Sequence, residues 1–159
     1  MANRTHEDAT ASDREIVFSR HFDAPRERVF KAWSEPVHID AWWGPSGFRN
    51  ETIEMDFRPG GVWRYIMHGP DGTDYPNRID YLEMDPPSRL VYVHGDDDDS
   101  GSLPFHVTVL FEDRDGGTRI TMRCLFDSVE ECERVKGFGA VEGGMQTLDR
   151  LALYLDAGA

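Results

Sequence analysis

A chain of 159 residues with 17 Lys and Arg against 30 Asp and Glu carries a formal net charge of −13, a field that repels nucleic acid phosphates and anionic lipid headgroups. No apolar run approaches the roughly 20 residues that span a bilayer, and the opening MANRTHEDATASDRE lacks the apolar segment of a signal peptide. The expectation is a cytoplasmic protein with no nucleic acid partner and no membrane insertion, built as a flexible lead over residues 1–14 and a single domain over residues 15–157.

In chain order, Glu15 to Asp23 alternates and puts Ile16, Phe18, Arg20 and Phe22 on one face of a strand. APRERVFKAWSE follows, with Pro25 suited to a first helical turn and Val29, Phe30 and Trp33 spaced for one helical face. A second short helix is expected from Ser34-Glu35-Pro36 to Trp43-Gly44-Pro45, because the Gly-Pro step ends regular structure. Consecutive helical residues diverge by about 100°, so Trp42 and Trp43 cannot both face one neighbour.

The middle reads as strands and turns. FRNETIEMDF alternates through Glu51, Ile53, Met55 and Phe57, RPGG turns the chain, and VWRYIMH puts Trp63, Tyr65 and Met67 on one face. GPDGTDYP is a second turn, NRIDYLEMD a strand and PPS a break. RLVYVHG then sets Val91 and Val93 opposite Leu90, Tyr92 and His94. FHVTVLFED and TRITMRCLF flank RDGG, a hairpin signal of the Asp-Gly kind. Short strands joined by short turns imply a sequential antiparallel sheet.

The carboxyl end changes period. In VEGGMQTLDRLALYLD an apolar stripe runs through Val141, Gly144, Met145, Leu148, Leu151, Ala152 and Leu155, and the sheet is the one apolar surface large enough to cover it. The fold class is therefore α+β: a curved antiparallel sheet of six or seven strands wrapped around a long C-terminal helix, with two short helices after the first strand.

The order DAPRERVFKAWSEP, WWGP, a Gly-Gly turn before VWRYIMHGPDG, IDYLEMDPPSRLVYV, GGTRITMR and TLDRLALYL resembles the activator-of-Hsp90-ATPase-homologue-like branch of the START-related (SRPBCC) helix-grip superfamily, from about Glu15 to Asp156. The resemblance implies a cavity between the sheet and the long helix, used across the superfamily for lipids, hormones, polyketides or other apolar small molecules. The candidates for its lining are Trp42, Trp43, Trp63, Tyr65, Met67, Tyr81, His106, Gly144, Met145 and Leu148.

Two features invite a closer reading. Trp42 and Trp43 either plug one end of the core or lend one ring to the cavity mouth, with Gly44-Pro45 shaping the rim. Gly143-Gly144 costs about 1 kcal/mol per residue inside a helix. Either the helix starts near Gly144, or a glycine on the inward stripe leaves room for a ligand or a close backbone approach.

Other clusters carry less. His94 and His106 flank the acidic loop and would face each other across a hairpin, but no third ligand follows at metal spacing, so no metal site is expected. His21 and His68 have no partner that sequence can name. Arg64, Arg119 and Arg123 read as an outer, charge-paired face, and Asp96 to Asp99 as a mobile loop lacking the corner glycine and distant Glu of a calcium loop. Cys124 and Cys132 suit reduced, non-catalytic thiols. The common hydrolase, zincin and nucleotide motifs are absent, so no catalytic residue and no cofactor is assigned.

Three functions stay open. The first is a binder of an apolar or amphipathic small molecule. The second is a cavity enzyme of the polyketide cyclase/aromatase type, with scattered acid/base residues such as Tyr65, Tyr81, Arg64 or His106. The third is a stress-related module interacting with an Hsp90-type chaperone, against which stands the expectation that the chain holds one domain only. A homodimer is also open.

Overall fold

The computed structural model describes residues 13–96 and 104–158. The acidic run expected to form a mobile loop lies, beyond Asp96, outside the described residues, as does most of the expected flexible lead. Arg14 donates through Nη1 to the carbonyl of Asp127 at 3.3 Å and accepts at its own carbonyl from the Phe126 amide at 2.8 Å.

Seven strands form one antiparallel sheet: β1 (Glu15–Phe22), β2 (Arg49–Met55), β3 (Val62–His68), β4 (Asp74–Asp85), β5 (Arg89–Asp96), β6 (Phe105–Arg114) and β7 (Gly117–Leu125). Their spatial order is β1-β7-β6-β5-β4-β3-β2. Each strand from β2 to β7 pairs with the next in sequence, the last two through the Asp-Gly hairpin between Arg114 and Gly117, and β1 closes the sheet beside β7. The connection from β1 to the far edge runs through α1 (Arg26–Ser34) and α2 (Pro36–Ile39), whose buried residues Val29, Phe30, Trp33 and Ile39 cover one end of the concave face. Two more helices follow β7, α3 (Val129–Gly137) and α4 (Ala140–Asp156).

Several sequence expectations are corrected by local geometry. The second short helix is a single turn. Helix-type bonds from Trp42 and Trp43 to the Ile39 carbonyl continue beyond it only as loose turns. Helix α3 was not foreseen, although Ser128 and Glu131 stand at the spacing of a capping box; the Ser128 hydroxyl accepts from the Glu131 amide at 3.0 Å. In β2 the expected face of Glu51, Ile53 and Met55 is broken by a register shift between Thr52 and Glu54. One extra residue there exchanges the faces. Asn50 is buried while Ile53 is 50% exposed.

The closing helix starts at Ala140, so both glycines lie inside it. Its inward line is Gly144, Leu148, Leu151 and Leu155 rather than the whole apolar stripe. Met145, about 100° from Gly144 around the helix, falls to one side and is 36% exposed, and Val141, in the first turn, is 40% exposed.

Candidate functional site

The sheet and α4 meet closely over only part of their length, and the sequence of the helix explains where. Toward its carboxyl end Leu148, Leu151 and Leu155 fill the concave face and are almost fully buried. Toward its start the residues bordering the sheet are Ala140, Gly143, Gly144 and Thr147, all small. A cavity of about 350 Å³ opens there, within the range of small-molecule sites.

Strand alternation supplies its wall. Ile16 and Phe18 come from β1, Tyr65 and Met67 from β3, and Tyr92 and His94 from β5. Gly144 is where the backbone must come close: a Cβ there would lie 2.3 Å from Cζ of Phe18. The room left by this glycine is thus taken by the Phe18 ring, and both residues border the cavity.

Three tryptophans close one end. Trp33 meets Trp42 at 5.1 Å and Trp43 at 5.5 Å between ring centroids, both edge to face. The Trp42 indole N–H donates to the Ala32 carbonyl at 3.1 Å, whereas that of Trp33 has no nitrogen or oxygen acceptor and lies among aromatic rings. Trp42 and Trp43 therefore pack the core and border the cavity at once.

The rim beside them is held by the helix. Gly44 has φ +105°, a conformation that side-chain-bearing residues rarely adopt. Arg150 Nη1 donates to the carbonyls of Gly44 at 2.9 Å and Pro45 at 3.1 Å, and more weakly to that of Trp43 at 3.4 Å. The Ser46 amide donates to Gln146 at 3.2 Å. On the opposite rim, between α3 and α4, Phe138 borders the cavity while 78% exposed.

Among the described residues no Asp, Glu, Lys or Arg borders the cavity. Burial pushes the Tyr92 phenol well above its ordinary pKa and raises Cys124 to about 12, with help from nearby Cys132 and Glu15, so both stay neutral. A polar pair interrupts the apolar wall. The Tyr65 hydroxyl and His94 Nε2 share a hydrogen bond of 2.8 Å, and the two ring planes are parallel within 1°. Trp63 stacks on the Tyr65 ring at 4.1 Å and Phe105 meets His94 edge to face at 5.0 Å, fixing both.

Of the sequence candidates, Trp42, Trp43, Tyr65, Met67, Gly144 and Leu148 border this cavity. Four do not. Trp63 sits behind Tyr65, and Tyr81 is buried against Phe57 in a part of the core with no open volume. Met145 faces aside, and His106 lies on the exposed face of β6. His94 pairs with Phe105 and His106 with Val93, so the two histidines do not face each other. Arg64 and Arg123 lie on the outer face, paired with Glu54 and Glu15. His94 is a lining residue that the sequence candidates omit. The signal was available, since it shares the face of Leu90 and Tyr92. Among the described residues no group of three or more His, Cys, Asp and Glu could hold a metal ion, and no helix is long and apolar enough to cross a membrane.

Solved structures share this architecture. Protein Ms6760 from Mycobacterium smegmatis is 27% identical with a TM-score of 0.84, over 94% of this chain and 95% of that one. A protein from Arthrobacter aurescens is 26% identical with a TM-score of 0.87, over 92% and 88%. The AHSA1 protein from Silicibacter pomeroyi, 23% identical with a TM-score of 0.74 over 91% and 99%, shares the fold. A search of curated proteins finds no match. The family described as "Activator of Hsp90 ATPase homolog 1-like protein" matches residues 23–156, most of the seven-stranded sheet and all four helices, and the chain belongs to that family.

Proposed function

We propose that the protein is a small-molecule binder that holds an apolar or amphipathic ligand between the sheet and α4. The observation that carries this reading is the aromatic-rich cavity of about 350 Å³, whose described lining holds no Asp, Glu, Lys or Arg. Filling it with a ligand removes apolar surface from water, at about 25 cal/mol per Å² before the costs of association. The net charge of −13 favours a soluble carrier or sensor over one that docks on anionic surfaces, and a cytoplasmic location fits its two free thiols.

Native mass spectrometry of the gently purified protein, against the same sample denatured, tests this. The expected outcome is a mass excess that disappears on denaturation, or that appears after challenge with hydroxylated aromatics. Absence of any adduct under both conditions would sink the binder reading. Family membership favours a second reading, contact with an Hsp90-type chaperone. Stimulation of the chaperone's ATPase by this chain would support it.

A further inference from the structure

We infer that residues 133–147, which join α3 to the first half of α4, form the movable wall of the cavity, and that Phe138 is the ring this wall closes over a bound apolar ligand. The inference rests on the binder reading and names the part of the site that moves.

The two sides of the cavity are built differently. On the sheet side, Tyr65, Tyr92 and Val107 border it and are at most 2% exposed. On the helix side, the chain is anchored at Cys132 and again at Leu148, both 0% exposed, and none of the residues between them is buried. Yet Val135, Phe138, Gly139, Ala140 and Gly143 in that stretch border the cavity. A wall with no buried side chain has few partner atoms, and such segments open at the low end of a protein's range of local stabilities.

The composition of this wall suits movement. Four of the eight residues from Gly137 to Gly144 are glycine, and two of them, Gly143 and Gly144, weaken α4 from inside. Gly139 holds φ +83° at the corner between the helices, where a glycine changes the sign of φ at little cost. A Cβ at Gly137 would meet nothing within 4 Å, so no neighbouring segment confines that side of the corner.

Phe138 gives the movement a direction. Its ring is 78% exposed although the residue borders the cavity. The Arg134 guanidinium lies 5.5 Å from the ring centroid, a weak contact at an exposed site. An aromatic side chain in water gains from any apolar surface it covers. An apolar ligand in the mouth supplies such a surface, and turning the ring onto it buries both. A wall that closes after entry lengthens the residence of the ligand without slowing its arrival.

The test uses the full chain and N-phenyl-1-naphthylamine, an uncharged fluorophore that brightens on leaving water. Without the dye, amide hydrogen exchange at residues 144–147 should run at least about tenfold faster than at residues 151–155 of the same helix. Saturating dye should slow exchange over residues 133–147 by at least about threefold more than in β6 or β7, which respond only through overall stabilisation. Stopped-flow fluorescence then reads the ring. Phe138→Ala should release the dye about tenfold faster, roughly what burying half or more of a phenylalanine side chain contributes, with association changed by less than about twofold. Phe138→Leu should keep most of the slow release. Because the ring is exposed, neither substitution removes a core side chain.

Equal exchange in the two halves of α4 would overturn the inference whatever binds. Dye binding without slowed exchange over residues 133–147, or with release unchanged in Phe138→Ala, would overturn it and leave the binder reading standing. If the dye does not bind and no adduct appears in the mass spectra, the binder reading falls and the inference falls with it.

Discussion

Gly143 and Gly144 are neighbours in sequence with opposite expected responses to the same change. A Cβ on Gly143 meets Pro45 Cγ at 3.7 Å, an ordinary contact, whereas one on Gly144 would lie inside the Phe18 ring. Gly143→Ala should gain up to about 1 kcal/mol from helix propensity. Gly144→Ala gains the same local term but must displace a ring that is only 7% exposed, an overpacking cost of about 1–3 kcal/mol, for a net loss of up to about 2 kcal/mol. Urea unfolding of the two variants makes the comparison. Equal stabilisation by both alanines would mean that Phe18 moves aside at little cost, into the cavity it borders. The residue scale also explains why the sequence candidates omit His94: it shares a face with Leu90 and Tyr92, but its partner Tyr65 lies two strands away across β4.

At the scale of elements, the cavity is a product of how α4 meets the chain's Trp corner. Arg150 stands on the third turn of the helix, and one of its nitrogens contacts the carbonyls of three successive residues, Trp43, Gly44 and Pro45. Burial draws its pKa down, yet a guanidinium stays charged in a protein, so these are charge-assisted bonds. Arg150→Met keeps the apolar stem and removes the clasp, for an expected loss of about 1–3 kcal/mol. Amide hydrogen exchange over residues 43–48 should quicken in this variant more than exchange in β6 or β7. Uniform acceleration across the sheet would show that Arg150 supports the whole fold and not this corner. The same scale accounts for α3, whose Ser128 cap and Glu-rich first turn form a start signal. It was overlooked because VEECERVKG has little apolar periodicity and buries only Cys132.

At the scale of the whole molecule, stability should carry a pH dependence from one side chain. His68 on β3 bonds Glu51 of β2 at 2.7 Å and Asp74 of β4 at 2.6 Å, joining three strands. These bonds, to Glu51 first and then to Asp74, raise its pKa above the ordinary 6.5, against smaller opposing effects of lost hydration and then of Arg49. A raised pKa means that the folded state holds the proton more tightly than the unfolded chain. The stabilisation is therefore fully present below about pH 6.5 and is lost as pH rises through the folded value. His68→Gln should flatten the fall in stability above pH 6.5, and NMR titration of His68 should give a midpoint above that of a free imidazole. A midpoint at or below 6.5 would contradict the bridging geometry. Glu131 and Asp71, whose pKa values are lowered by Arg134 and by Thr73, act in the acid range and leave this window clear.

The sequence by itself determined the strands, the long amphipathic helix, the turn positions and the class of fold. Those features depend on local periodicity and on Gly, Pro and Asp at turns, which are properties of neighbouring residues. Its order of motifs also pointed to the family. Only the tertiary structure decided which faces line the cavity. The bulge between Thr52 and Glu54 exchanges sides within β2, the inward line of α4 runs through Gly144 and Leu148 rather than Met145, and His106 and Tyr81 turn away from the space that His94 and Tyr65 share. A pairing register, a helix rotation and a hydrogen bond between strands that are not adjacent are relations between distant parts of the chain, and no local pattern encodes them.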